Sequence, residues 1–195
     1  MTTREWMADG TTLFLATLDR LDDEQLARPI ALPGWTGKHL VAHVHYNAVA
    51  LCRLASWAAT RVENRMYESA EQRAREIEHG ASLSTATLRA LVRQSGDELQ
   101  AAFAALSPQE WRNEVVTAQG RTVPATELPW LRVREVYVHA IDLDAGVRFD
   151  DLPGDVLSAL LGDIVAKRAK ADEGPALAAW LTGRSLTPPA LDRWL

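Results

Sequence analysis

The sequence holds a single cysteine, Cys52, among 195 residues. One thiol cannot close an internal disulfide, so the chain suits a reducing, cytoplasmic compartment, and Cys52, in an apolar run, reads as a small core hydrophobe. Nowhere is there an apolar stretch near the roughly 20 residues that a membrane span needs. The N-terminal MTTREWMADG, mixing acid with base, has no secretory signal pattern. Lys and Arg never run longer than a dipeptide, and the formal charge is −5. That leaves no basic footprint for a phosphate backbone or an anionic bilayer, so neither nucleic acid nor membrane is expected as a partner. Internal repeats and low-complexity tracts are also absent. The length suits one core, or one core with a small appendage, and excludes a larger multi-domain assembly.

What is present is Ala- and Leu-rich apolar patterning at helical spacing, which predicts a mainly α protein. A first helix is expected from Thr3 to Leu21, weakened in its first half by Gly10. The stretch Pro29 to Gly34 breaks the pattern, and a second helix restarts with Thr36 as N-cap and runs toward Thr60. Arg61 to Gly80, rich in Glu and Arg, reads as a solvated connection containing a short helix. A third long helix follows from Leu83 to Leu106. Asn113 to Thr122 is compatible with a short β-ribbon or an extended loop turning at Gly120. A fourth helix begins at Pro124 and stops near Ala145-Gly146. Four apolar stripes imply a four-helix bundle over residues 1–150. The turn-formers and acids at 149–154 mark a boundary, and residues 151–195, with helices over Asp155–Ala171 and Pro175–Leu181, form a short appendage. It is too small for its own core and is expected to pack on the bundle or, in a homodimer, on a second subunit.

Five histidines carry most of the chemical information. His139 follows Glu135 by four residues, which stacks imidazole and carboxylate on one helix face, where both could grip one cation. The neighbours Val133, Val136, Val138, Ala140 and Ile141 are apolar, and a buried carboxylate and imidazole need compensation. On the second helix His39 and His43 have the same spacing, whereas His45 points about 200° away from His43. His45 and His79 are read as non-functional, and His39 as a hydrogen-bonding helix residue. Asp142, three residues after His139, is either an exposed acid or a group that holds the His139 tautomer. Trp35, Trp57, Trp111, Trp130 and Trp180 read as core, with Trp35 and Trp130 placed to shield the histidine segments from water.

Two runs, Leu32-Pro-Gly-Trp-Thr-Gly-Lys-His-Leu-Val-Ala-His43 and Glu127-Leu-Pro-Trp-Leu-Arg-Val-Arg-Glu135-Val-Tyr-Val-His139, resemble the signature segments of the mycothiol-dependent maleylpyruvate isomerase family, among the DinB-like metal-binding bundles. The similarity resumes at Gly174-Pro-Ala-Leu-Ala-Ala-Trp-Leu-Thr-Gly-Arg184. The resemblance implies a DinB-like four-helix bundle and a zinc ion held by His43, Glu135 and His139. It further implies mycothiol, a low-molecular-weight thiol, as cofactor, a small-molecule substrate, and a catalytic Arg184. The implied reaction is cis-trans isomerisation of the maleylpyruvate type, by reversible thiolate addition to an activated alkene, with Arg184, Arg132 or Arg134 orienting a substrate carboxylate. The alternatives are a mycothiol S-transferase acting on an electrophile and a non-catalytic metal-binding stress or regulatory bundle. The family's small C-terminal αβ domain looks shortened here, because the 167–174 segment leads almost directly into the Trp180 helix.

Overall fold

The computed structural model describes residues 2–191. Its elements follow from local signals. Thr2 and Glu5 form a reciprocal capping box that starts α1 (Thr3–Leu18), and Asp22 and Gln25 do the same for the short α2 (Asp23–Ala27). The helix expected to continue to Leu21 therefore ends at Leu18, and α2 was not anticipated, although its Asp-x-x-Gln start is legible. Thr36 caps α3 (Gly37–Thr60), where His39 Nδ1 accepts from the Thr36 backbone N–H at 3.2 Å. Ser69 opens α4 (Ala70–Ser82) and Ser84 opens α5 (Thr85–Ala105), each accepting a backbone N–H of the first turn.

β1 (Glu114–Val116) and β2 (Thr122–Pro124) form an antiparallel ribbon in the register Val115 opposite Val123. Both of those valines are buried, and Gly120, at φ +75°, takes the left-handed position in the connecting turn. Pro124 belongs to this ribbon rather than to a helix. One 3₁₀ turn later α6 (Leu128–Asp142) begins, with Pro129 in its first turn.

The chain divides into two compact units, Met1–Arg148 and Phe149–Leu195. In the first, α1 packs on α6, α6 on α3, α3 on α5 and α5 on α1, closing a four-helix bundle. The longest helix, α3, is buried along most of its length, as a helix with several neighbours must be; it also carries α4, the ribbon and α2. Gly10 does not interrupt α1. It lies where a Cβ would come within 2.6 Å of Val136 and 2.7 Å of Tyr137, so the absent side chain permits the approach of α6.

The second unit consists of a 3₁₀ turn, α7 (Gly154–Lys170) and α8 (Gly174–Leu181). Asp172, at φ +62°, turns the chain between the helices, and Arg168 pairs with Glu173 at 2.8 Å across that turn. No described residue of this unit is in a strand.

Candidate metal centre

Helices α3 and α6 bring His43, Glu135 and His139 together. His43 Nε2 lies 2.8 Å and His139 Nε2 3.1 Å from the same carboxylate oxygen, Glu135 Oε2. All three ligand atoms lie within 4.8 Å of one another. The two imidazoles are buried, and their rings meet edge to face with centroids 5.1 Å apart. Equal spacing left His39 and His43 alternatives on α3, and packing separates them. His39 serves the N-cap through Nδ1, and its Nε2 lies 3.4 Å from Glu78.

Each imidazole is oriented from behind. His139 Nδ1 is 2.8 Å from Asp142 Oδ2, so the acid three residues on does hold this ring. Behind His43, Nδ1 meets the Arg73 guanidinium of α4 at 3.2 Å. A guanidinium has only donors, so His43 Nδ1 accepts and Nε2 carries the proton that it donates to Glu135. His139 faces a carboxylate at both nitrogens and is therefore an imidazolium. Burial disfavours its charge, but the hydrogen bonds to Asp142 and Glu135 outweigh that and raise its pKa to about 9. Burial lowers the pKa of His43 against the pull of Glu135. Burial also opposes the charge on Glu135, yet the two imidazoles hold its pKa well below the usual carboxylate range.

This donor set fits a divalent cation. Two imidazole nitrogens and one carboxylate oxygen match an open zinc site, in which ligands at about 2.0–2.2 Å from the metal lie roughly 3.3 Å from each other. The 2.8 and 3.1 Å separations are close to that spacing. Asp142 behind His139 is the carboxylate–imidazole support that metal ligands commonly have.

His43 and Glu135 open onto a cavity of about 580 Å³, whose walls come from α3, α6, the 63–70 segment, Arg73 and the ribbon turn from Val116 to Gly120. The 61–80 stretch, expected to be a solvated connection containing a short helix, is thus corrected in the helix's length and in its packing. It ends in a 13-residue helix that packs on α3 and supplies a wall of the site. Ser69 as N-cap, followed by the buried Ile77 and Gly80, is the signal that could have revealed it. Trp35 covers His43, with ring centroids 5.5 Å apart, while Trp130 packs edge-on against Trp6.

The arginines considered from sequence separate clearly. Arg132 is buried, and its Nη1 donates to Val44 O at 2.7 Å and Asn47 Oδ1 at 2.9 Å. Burial lowers its pKa to about 10, so it remains a cation at neutral pH, but it does not line the cavity. Arg134 does line it. Arg184 belongs to the second unit, where it is exposed, follows α8 and donates to the Thr182 carbonyl. His45 donates to or accepts nothing at the centre; its Nδ1 meets Leu91 O at 3.1 Å. Cys52 is half-buried, and burial raises its thiol pKa to about 11.

Comparison with known proteins shows the family. Residues 7–144 match the family model of the mycothiol maleylpyruvate isomerase N-terminal domain. The crystal structure of the mycothiol-dependent maleylpyruvate isomerase is 42% identical, with a TM-score of 0.81 over 84% of this chain and 68% of that one. The crystal structure of a histidine-to-alanine mutant of that enzyme gives the same values. No curated protein matches.

Proposed function

We propose that this chain, which belongs to the mycothiol maleylpyruvate isomerase family, is a zinc- and mycothiol-dependent cis-trans isomerase of the maleylpyruvate type. The observation that carries this reading is the convergence of His43, Glu135 and His139, the first two of which line a cavity of about 580 Å³, a volume in the usual range for small-molecule sites.

Those three residues would hold the metal, and a bound divalent cation supplies positive charge that lowers the pKa of a neighbouring thiol. Mycothiol, when bound, would supply the thiol for reversible addition to an activated alkene. The chain's own residues prepare the place. Asp142 fixes the His139 ring so that Nε2 faces the centre, and Glu135 contributes the negative charge that a cation needs there. Trp35 shields His43 from water. The bundle of residues 1–150 is the metal-binding domain in this reading, 151–195 a shortened appendage, and Arg184 the catalytic arginine that the resemblance implies. A reducing cytoplasm fits both the thiol chemistry and the single cysteine.

Metal analysis tests the reading. The purified parent is expected to hold about one zinc per chain and to isomerise maleylpyruvate with mycothiol. His43→Ala, Glu135→Ala and His139→Ala should each lose most of the metal and the activity, since two ligands make an incomplete site. Unchanged metal content in all three rejects the assignment.

One feature favours a second reading with the same centre. Only residues 171–173 separate α7 from α8, where a strand-containing C-terminal domain is expected from the resemblance. A mycothiol S-transferase would use the same activated thiol, and thiol inventory separates the two: isomerisation returns free mycothiol, conjugation consumes it.

A further inference from the structure

We propose that Arg73, with the Tyr67 hydroxyl beside it, receives a carboxylate of the substrate in the cavity next to His43 and so gives the site its preference for dicarboxylates. The inference deepens the isomerase reading and rests on it.

Three observations support it. Arg73 and Tyr67 both line the cavity that His43 and Glu135 open onto. The Tyr67 hydroxyl interacts with the Arg73 guanidinium, and burial raises its pKa to about 12, so it stays a neutral donor. Arg65, at the same cavity, is paired with Glu63 in an exposed contact. Arg73 instead has a guanidinium N 3.2 Å from His43 Nδ1, where a neutral imidazole takes one of its several N–H groups.

A guanidinium carries five N–H groups, and His43 Nδ1 takes one of those of Arg73. The Arg73 side chain lines a cavity large enough for a small diacid. A carboxylate offers two oxygens to the planar fork of the guanidinium, the strongest pairing available to it, and a third contact from Tyr67 would fix its orientation.

The test compares zinc-loaded parent, Arg73→Met, Arg73→Lys and Tyr67→Phe. Maleate serves as a non-reacting cis-dicarboxylate probe in calorimetry, and maleylpyruvate with mycothiol gives the kinetics. Arg73→Met should weaken maleate binding at least tenfold and raise KM by a similar factor, with the effect falling mainly on KM rather than kcat. Zinc content should equal that of the parent, Arg73→Lys should recover part of the loss, and Tyr67→Phe should weaken maleate by a few fold. Should Arg73→Met not fold, Arg73→Lys and Tyr67→Phe carry the same comparison. Unchanged maleate affinity in the variants overturns the proposal, as does a parent that binds no maleate. Loss of zinc in parallel with maleate also overturns it, because Arg73 would then only support His43. A parent that binds maleate through Arg73 but never turns over maleylpyruvate rejects the isomerase reading and leaves the carboxylate site standing.

Discussion

His139 is held between two acids, Glu135 at 3.1 Å and Asp142 at 2.8 Å, in a buried position. Without metal this makes its proton part of the fold's stability. Its folded pKa of about 9 exceeds the roughly 6.5 of a solvated imidazole, so the native state binds the proton more tightly than the unfolded chain does. The resulting stabilisation is complete below about pH 6.5 and is lost as pH rises through about 9. Glu135 stays ionised across that window and His43 stays neutral, since the one pKa is held down by its imidazole partners against burial and the other is lowered by burial. Thermal melts of chelator-treated protein should therefore show a falling Tm between pH 6.5 and 9, and His139→Gln should lack that part of the decline. An equal decline in the variant would refute the assignment of the proton. The spacing of Glu135, His139 and Asp142 was legible in the sequence because all three lie on consecutive turns of one helix. Arg73 was not, since a lone Arg in a charged stretch gives no local sign that it meets a histidine 30 residues earlier.

Among the elements, α4 shows how much depends on a small residue at a crossing. A Cβ on Gly80 would come within 2.6 Å of Ala42 Cβ and 3.2 Å of the Tyr46 ring, so α4 lies nearly backbone to backbone on α3. Gly80→Ala should force the helices apart and cost about 1–3 kcal/mol, the usual range for overpacking. Gly96, within α5, is the contrast. Its nearest neighbour to an added Cβ is Thr11 Cγ2 at 3.4 Å, so Gly96→Ala should be neutral or stabilising by up to about 1 kcal/mol. Urea denaturation of both variants checks the pair, and equal effects would contradict the close crossing. Periodicity gave the long helices to within a few residues because each buries a wide apolar stripe. It undervalued α4, whose buried side is only Ile77 and Gly80 among many charges, and it passed over α2, a single capped turn.

For the whole molecule, the three ligands and the cavity all lie within the first unit, between residues 43 and 139. Metal binding to a site that exists only in the folded bundle stabilises that bundle by mass action, about 2.7 kcal/mol at a hundredfold excess over Kd. Added zinc should raise the Tm of the chelator-treated parent by several degrees and leave Glu135→Ala unmoved. A parent whose Tm ignores zinc would argue against the site. No helix among the described residues is long and apolar enough to cross a membrane, in agreement with the absence of such a run in the sequence.

By itself the sequence determined the long helices, the Thr36 cap and the shared face of Glu135 and His139, because these depend on the 3.6-residue repeat and on groups a few positions apart. Only the tertiary structure decided that Arg73 meets His43 from behind, and that Arg132 is enclosed while Arg134 lines the cavity. Such choices depend on how each helix is rotated and how closely it approaches its neighbours, and that is set by packing across the bundle rather than by any stretch of chain alone.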